Sequence, residues 1–386
     1  MLMPNLLRTF ILSLLLSCAA TLARAADPIP QPPQVPVRAH VLIDFASGNV
    51  LAGSEADTRM EPASITKLMS AYIIYGALKE GKLKPDAQVT ISERAWRTEG
   101  SRMFAEVGKQ VPVEVLLRGM VIQSGNDATV ALAEHIAGSE NTFVTLMNQT
   151  AAKLGMKNSH FTNSTGLPHP EHYTTAHDIA ILTRALIHDF PEQYKLYSER
   201  EFTYNNIKQH NRNRLLWQDP SVDGVKTGHT QSAGYCLVSS AKRNDTRLIT
   251  VVLGAQKEAD RYSASQALLN YGFSFFETHK LYDAGKALAE ARVWKGEASQ
   301  LPLGLAEDLY VTIPKGRYQE LSASLRVNNG IVAPVEQGQP LGSVVVTLDN
   351  QVVSETPLLA TQMVAEAGFF GRFIDSILMW LYSWFE

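Results

Sequence analysis

The spacing of apolar positions changes period along the chain, and each change marks a different kind of element. Residues 27–36, DPIPQPPQVP, show no period and are proline-rich, so they read as an extended leader that cannot donate regular backbone hydrogen bonds. VRAHVLIDF and GNVLAGS then alternate or run apolar on either side of Ala46, Ser47 and Gly48, which predicts a β-hairpin. From Glu61 to about Arg200 the spacing turns helical, as in VEVLLRGMVIQ, DATVALAEHIAG and AHDIAILTRALIH. Strands return in VDGVKTGHT, GYCLVSSAKR and TRLITVVLG, with Arg243, Asn244 and Asp245 marking a tight turn. Strands from both ends of the segment enclose a helical lobe, the pattern of an α+β domain built on an antiparallel sheet.

After the helical segment RYSASQALLNYGFSFF the texture changes again near Glu277. DLYVTIP, LSASLRV and SVVVTLD are short strands separated by Lys315-Gly316, Asn329-Gly330 and Asp349-Asn350, so about 85 residues read as a separate all-β domain. No catalytic constellation appears inside it. The tail, EAGFFGRFIDSILMWLYSWFE, is amphipathic at helical spacing. Gly368, Arg372, Asp375, Ser376, Ser383 and Glu386 fall on one arc, and Phe369, Phe370, Phe373, Ile374, Ile377 and Trp380 lead the other. Arg372 and Asp375 interrupt the apolar run that a spanning helix needs, so residues 366–386 are expected to lie in a membrane interface; docking on the protein itself is the alternative. The expected organisation is a signal peptide at 1–25, a catalytic domain at 26–276, an all-β domain at 277–362 and an anchor helix at 363–386.

Composition supports two folded units: 386 residues with 45% hydrophobic content exceed the needs of one average domain. Arg8, the apolar run from Phe10 to Leu16, and Ala23-Arg24-Ala25 form a cleavable export signal, with lipidation at Cys18 as a weaker alternative because Leu16 suits such a site poorly. The formal charge of −3 becomes −5 once Arg8 and Arg24 leave with the leader, which gives no basic face for nucleic acid. Cys236 would then stand alone in the strand-like run YCLVSSA, a buried structural thiol.

Candidate chemistry starts at EPASITKLM. Pro62 favours a helix start, which would put Ser64 and Lys67 on one face of the first turn and leave the Ser64 N–H free of an intrahelical partner, as an oxyanion hole requires. Alone, this serine-lysine spacing is common. A second motif, Ser124-Gly125-Asn126, falls between two helical segments, and a third, Lys226-Thr227-Gly228, lies in a strand followed by His229. On that strand Lys226 and Gly228 share a face, and a glycine there lets another backbone approach closely.

The ordered set SITK, SGN and KTG resembles the active-site serine penicillin-recognising enzymes, and within them the low-molecular-weight penicillin-binding proteins of the D-alanyl-D-alanine carboxypeptidase type. The likeness runs through FTNSTGLP, the HYTTAHDIA run, the β domain and the amphipathic tail. It implies a penicillin-binding/β-lactamase-like α+β transpeptidase fold and a periplasmic enzyme held at the outer face of the cytoplasmic membrane. The implied activity is removal of the terminal D-alanine from peptidoglycan pentapeptide stems through an acyl-enzyme on Ser64, with β-lactams as covalent inhibitors. Such chemistry requires a base within reach of Ser64, and Lys67 serves if it is neutral, with Lys226 a candidate for the cation that depresses its pKa. Ser124 would relay a proton to the leaving amine and Asn126 would hold the substrate amide. By analogy, the N–H groups of Ser64 and His229 are the oxyanion donors, while Thr227 and Arg261 receive the substrate carboxylate.

A β-lactamase is the second reading, disfavoured because SGN replaces S-D-N and no E-x-x-L-N segment follows to position a deacylating water. A wall-binding protein without catalysis is the third, disfavoured by the intact nucleophile and base. His160, His169, His172, His177 and His188 crowd one region with Asp178, but their spacing is not a standard ligand set, so neither metal nor cofactor is expected.

Overall fold

The computed structural model describes residues 29–382; the leader at 1–25, including Cys18, and the end of the tail from Ser383 onward lie outside the described residues. β1 (Ala39–Asp44) and β2 (Val50–Ser54) form the expected hairpin. The chain then passes through a 3-10 turn, Ala63–Thr66, into α1 (Lys67–Lys79). The helical lobe continues with α2 (Val113–Ile122), α3 (Asn126–Ala137), α4 (Glu140–Leu154) and α5 (Ala176–Asp189). Ser92, Ser139 and Thr175 cap the helices that follow them, each accepting a first-turn N–H. β3 (Val222–Thr230), β4 (Gly234–Arg243) and β5 (Thr246–Ala255) complete a five-stranded antiparallel sheet in the order β2-β1-β5-β4-β3.

Strand β1 reads AHVLID and is buried at every position because the sheet is covered on both faces. Val41, Ile249 and Val251 join Ile65, Leu68 and Phe143 in the core shared with the helical lobe. On the opposite face lies α6 (Glu258–Phe275), packed so closely that a Cβ added at Gly272 would stand 2.5 Å from Leu248.

Two short hairpins were not expected, one inside the stretch read as helical up to about Arg200 and one just beyond it. Gln88–Thr90 pairs with Gln110–Pro112, and Glu201–Tyr204 pairs with Ile207–His210. The second pair turns at Asn205-Asn206, both with positive φ, the conformation that asparagine tolerates best among ordinary residues.

The C-terminal segment comprises β6 (Phe276–Tyr282), β7 (Ala287–Arg292), β8 (Gln300–Gly304), β9 (Leu309–Pro314), β10 (Ser322–Val327), β11 (Pro340–Leu348) and β12 (Gln351–Ala360). β6 pairs with β9, and the others form a sheet in the order β7-β8-β12-β11-β10. It has its own core, which includes Val293, Leu303, Val311, Val344 and Leu358. The last element, α7 (Phe369–Tyr382), is the amphipathic tail. No helix among the described residues is long and apolar enough to cross a membrane.

Asp44, at the end of β1 and 0% exposed, ties the two cores together. Its carboxylate accepts the Ser47 N–H at 2.7 Å, the Ser47 hydroxyl at 2.9 Å and the Thr278 hydroxyl of β6 at 2.7 Å, while Ser47 Oγ also meets Thr312 Oγ1 of β9 at 2.6 Å. Replacing Asp44 with Ala leaves three half-buried donors without their acceptor. Asp44→Ala is therefore expected to lose about 2–4 kcal/mol of unfolding free energy, measured as a lowered urea midpoint; an unchanged midpoint would refute this account of the joint.

Candidate active site

The turn that carries Ser64 is built differently from an ordinary helix start. Ser64 stands on the 3-10 turn ahead of α1, and Ala63 before it has φ +47°, a left-handed conformation that costs an alanine energy and persists only where the surroundings enforce it. Two glycines let those surroundings close in. A Cβ at Gly166 would lie 1.8 Å from the Ala63 carbonyl oxygen, and one at Gly228 would lie 3.0 Å from that of Pro62. Behind the turn, buried His172 accepts the Thr162 N–H at Nδ1, which places its proton on Nε2, 2.8 Å from Thr66 Oγ1. Burial pushes His172 down to about 4, so this brace is a neutral imidazole.

Lys67 opens α1 and is 1% exposed. Its Nζ donates to Ser64 Oγ at 3.1 Å, to Asn126 Oδ1 at 2.6 Å and to the Thr165 carbonyl at 2.8 Å. The third contact exists because Asn163 Oδ1 accepts the backbone N–H groups of Thr165, Gly166 and Leu167 and bends that segment beneath the lysine. Burial, then the Arg212 charge, lowers Lys67 to about 7, against an opposing effect of Asp127.

The second motif links α2 to α3 through Ser124, whose φ is +64°. Asn126 is fixed on both sides: its N–H donates to the Ser101 carbonyl at 2.7 Å and its Nδ2 to that of Glu99 at 2.5 Å. Lys226, on β3, donates to Ser124 Oγ and to the Thr227 carbonyl, both at 2.9 Å. It is itself buried and pushed well below the usual lysine range, by desolvation first and by Lys67, Arg212 and Arg261 after it.

Ser64, Ser124, Thr227, Gly228, His229 and Arg261 line one cleft of about 290 Å³, with Lys67, Asn126 and Lys226 bonded to its walls. All nine residues singled out in the sequence thus converge. Arg261, which stands in no short motif, is 5% exposed; it donates to Glu258, to the Tyr262 hydroxyl and to the Gly228 carbonyl, while its Nε has no protein partner among the described residues. His229 is exposed and stacks on Tyr235 at 4.1 Å.

The sequence reading missed Arg212, Ser101 and Tyr235, which also line the cleft, and Thr165, which contributes only a carbonyl. Arg212, Ser101 and Tyr235 lie in no motif named above, and Thr165 lies within FTNSTGLP, to which no role was assigned. Beside Lys226, the candidate cation of the sequence reading, Arg212 also opposes the charged form of Lys67. The crowded histidines serve separate partners: His160 meets the Glu171 carbonyl, His177 Asp57 and His188 Asp189. Cys236 is buried in β4, where desolvation pushes its thiol up to about 11.

Residues 26–257 match the family model for D-alanyl-D-alanine carboxypeptidase. The chain belongs to that family. Residues 276–366 match the model of the penicillin-binding protein 5 C-terminal domain. The D-alanyl-D-alanine carboxypeptidase DacA of Escherichia coli K12 is 44% identical over 365 residues, covering 92% of this chain and 91% of the relative. The crystal structure of penicillin-binding protein 5 from Haemophilus influenzae superposes with a TM-score of 0.82 at 44% identity, covering 87% of this chain and all of that one. Ampicillin-bound penicillin-binding protein D2 of Listeria monocytogenes gives a TM-score of 0.59 at 28% identity over 63% of this chain and all of its own. The α+β fold with its helical lobe and β domain is therefore that of the family.

Because Arg212 disfavours the charged amine, removing it must raise the Lys67 pKa. Arg212→Gln is expected to move the acid limb of penicillin labelling from about pH 7 to higher pH; a limb that stays in place or falls would contradict the assignment.

Proposed function

We propose that this member of the carboxypeptidase family removes the terminal D-alanine of peptidoglycan pentapeptide stems through an ester on Ser64. The observation that carries the reading is the arrangement around Lys67. A neutral amine has two hydrogens; the Asn126 and Thr165 oxygens, at 2.6 and 2.8 Å, engage both and turn the remaining lone pair towards the Ser64 hydroxyl at 3.1 Å. Lys67 then takes the Ser64 proton as Oγ attacks the carbonyl carbon of the penultimate residue.

The negative charge that forms on the carbonyl oxygen is held by the N–H groups of Ser64 and His229. Collapse breaks the amide bond, and the departing D-alanine nitrogen takes the proton that Lys67 gained from Ser64, relayed through Ser124, which Lys226 orients. Asn126 positions the substrate amide. Thr227 and Arg261 receive the terminal carboxylate, a part for which the unpartnered Nε of a buried guanidinium is suited. Water then adds to the ester, giving a proton to Lys67, which passes it to Ser64 Oγ as the ester bond breaks and the tetrapeptide stem is freed. A β-lactam acylates the same serine, in keeping with the ampicillin-bound relative.

The same proposal covers the chain's organisation: an export signal at 1–25, the catalytic domain at 26–276, the β domain at 277–362 and an anchor at 363–386. The protein is placed in the periplasm, against the outer face of the cytoplasmic membrane. The orientation of α7 supports an anchor, because Asp375 on its polar arc accepts the Lys295 N–H at 2.5 Å and faces Arg292 at 3.3 Å, whereas Phe369, Phe370, Phe373, Ile374 and Trp380 are exposed.

D-alanine release from a diacyl-Lys-D-Ala-D-Ala peptide is expected for the mature chain and lost in Ser64→Ala, which should also fail to form a stable penicilloyl ester. Release that persists in the variant would sink the mechanism. Removing residues 366–386 should abolish co-flotation with phospholipid vesicles without reducing peptide turnover; flotation that survives the deletion would refute the anchor.

A further inference from the structure

Asp127 lies one position beyond the second motif, in the first turn of α3, and is 1% exposed. Its two carboxylate oxygens reach back to another segment: Oδ1 accepts the Met103 N–H at 3.0 Å and Oδ2 accepts the Ala105 N–H at 3.1 Å, while Oδ1 also takes the Ala128 N–H at 2.9 Å. Between the two gripped residues, Phe104 is held at φ +68° and is 51% exposed. A bulky aromatic adopts that conformation only under constraint, and a carboxylate drawing two N–H groups to one side supplies it. Met103 and Ala105 are buried beside it.

Gly125 is shaped by the same contact. A Cβ there would stand 2.8 Å from Asp127 Oδ1 and 3.1 Å from the Met103 nitrogen, so the middle residue of the SGN motif is small because the clamp passes beside it. The clamped segment begins at Ser101, which lines the cleft and whose carbonyl accepts the Asn126 N–H at 2.7 Å. One carboxylate therefore fastens the cleft wall at 101–105 to the turn that carries Ser124 and Asn126.

We propose that Asp127 is a positioning residue for this reaction: its carboxylate locks the SGN turn against the 101–105 wall and so fixes Asn126 where it holds the base, Lys67. This deepens the serine-lysine reading above and rests on it. The charged groups facing the Lys67 amine are Arg212, Asp127 and Lys226. Of these, Asp127 alone is negative and acts to keep the amine protonated. Removing its charge must lower the Lys67 pKa, so activity that needs the neutral amine extends to lower pH. Loss of packing or of local order alone gives no reason for a shift in that direction.

The test is D-alanine release by the full mature chain from diacetyl-Lys-D-Ala-D-Ala, measured from about pH 5 to about pH 9, for the unmutated protein, Asp127→Asn and Asp127→Glu. Asp127→Asn presents an amide donor to one of the two backbone donors, and is expected to lose about 10- to 100-fold in kcat while the acid limb of kcat/KM moves to lower pH. Asp127→Glu keeps the charge but displaces the clamp; it should lose kcat with the acid limb near its original place. An Asp127→Asn limb that stays or rises, or an Asp127→Glu kcat equal to that of the unmutated chain, overturns the assignment. If Asp127→Asn does not fold, the kcat of Asp127→Glu decides the clamp by itself. No release from the unmutated chain would instead defeat the underlying reading, a result distinct from variants that match it.

Discussion

An amine withdrawn from water is the constraint on which the active site depends. A shift of Lys67 from the ordinary 10.5 to about 7 corresponds to about 5 kcal/mol against its charged form, and that displacement makes a lysine usable as a base near neutral pH. Burial is the leading cause, so whatever keeps solvent away from position 67 also sets the chemistry. The site gives the amine acceptors without a carboxylate partner: a hydroxyl, a side-chain amide oxygen and a backbone carbonyl. A carboxylate in direct contact would restore the charge and remove the base.

Closing water out requires three backbones to meet at the Ser64 turn, and side chains obstruct such meetings. Gly166 and Gly228 therefore stand against the carbonyls of Ala63 and Pro62, while Ala63 accepts a left-handed conformation between them. The lysine, glycine and threonine of KTG act at different distances from the chemistry. Lys226 orients the Ser124 hydroxyl, Gly228 admits the turn, and Thr227 lines the cleft. The spacing of this motif follows from the pleat, which puts positions 226 and 228 on one face.

Legibility in the sequence followed the same division. The β1–β2 hairpin, the lobe helices and the strands around KTG were visible because each buries a regular face, and the Asp349-Asn350 turn because its two residues tolerate positive φ. The hairpin at 201–210 was overlooked, since its strands are four residues each and too short for a period to stand out. At the site, Ser64, Lys67 and Asn126 were found through motifs. Thr165 acts through its carbonyl, which any residue supplies, and Arg212 through its charge in the folded chain, so neither role could be read from the residue type. The 3-10 geometry at Ser64 was likewise invisible, because contacts from residues 166 and 228 impose it from far along the chain.

The tail shows how one pattern can satisfy two surfaces. An amphipathic helix packed on its own protein ordinarily turns its apolar face inward, but α7 does the reverse. Asp375 engages Lys295 and Arg292 beside β7, and Arg372 pairs with Glu366 at 2.7 Å, so its polar residues meet the protein while most of its large apolar side chains remain exposed. A hydrophobic face left in water is unfavourable at roughly 25 cal/mol per Å², which is the physical motive for the lipid interface proposed above. The charges that bar this helix from spanning a bilayer are then the groups that fasten it to the β domain. Asp44 in turn fastens that domain to the sheet that carries Lys226, so carboxylates stand at both junctions, one accepting the Thr278 hydroxyl and the other the Lys295 N–H.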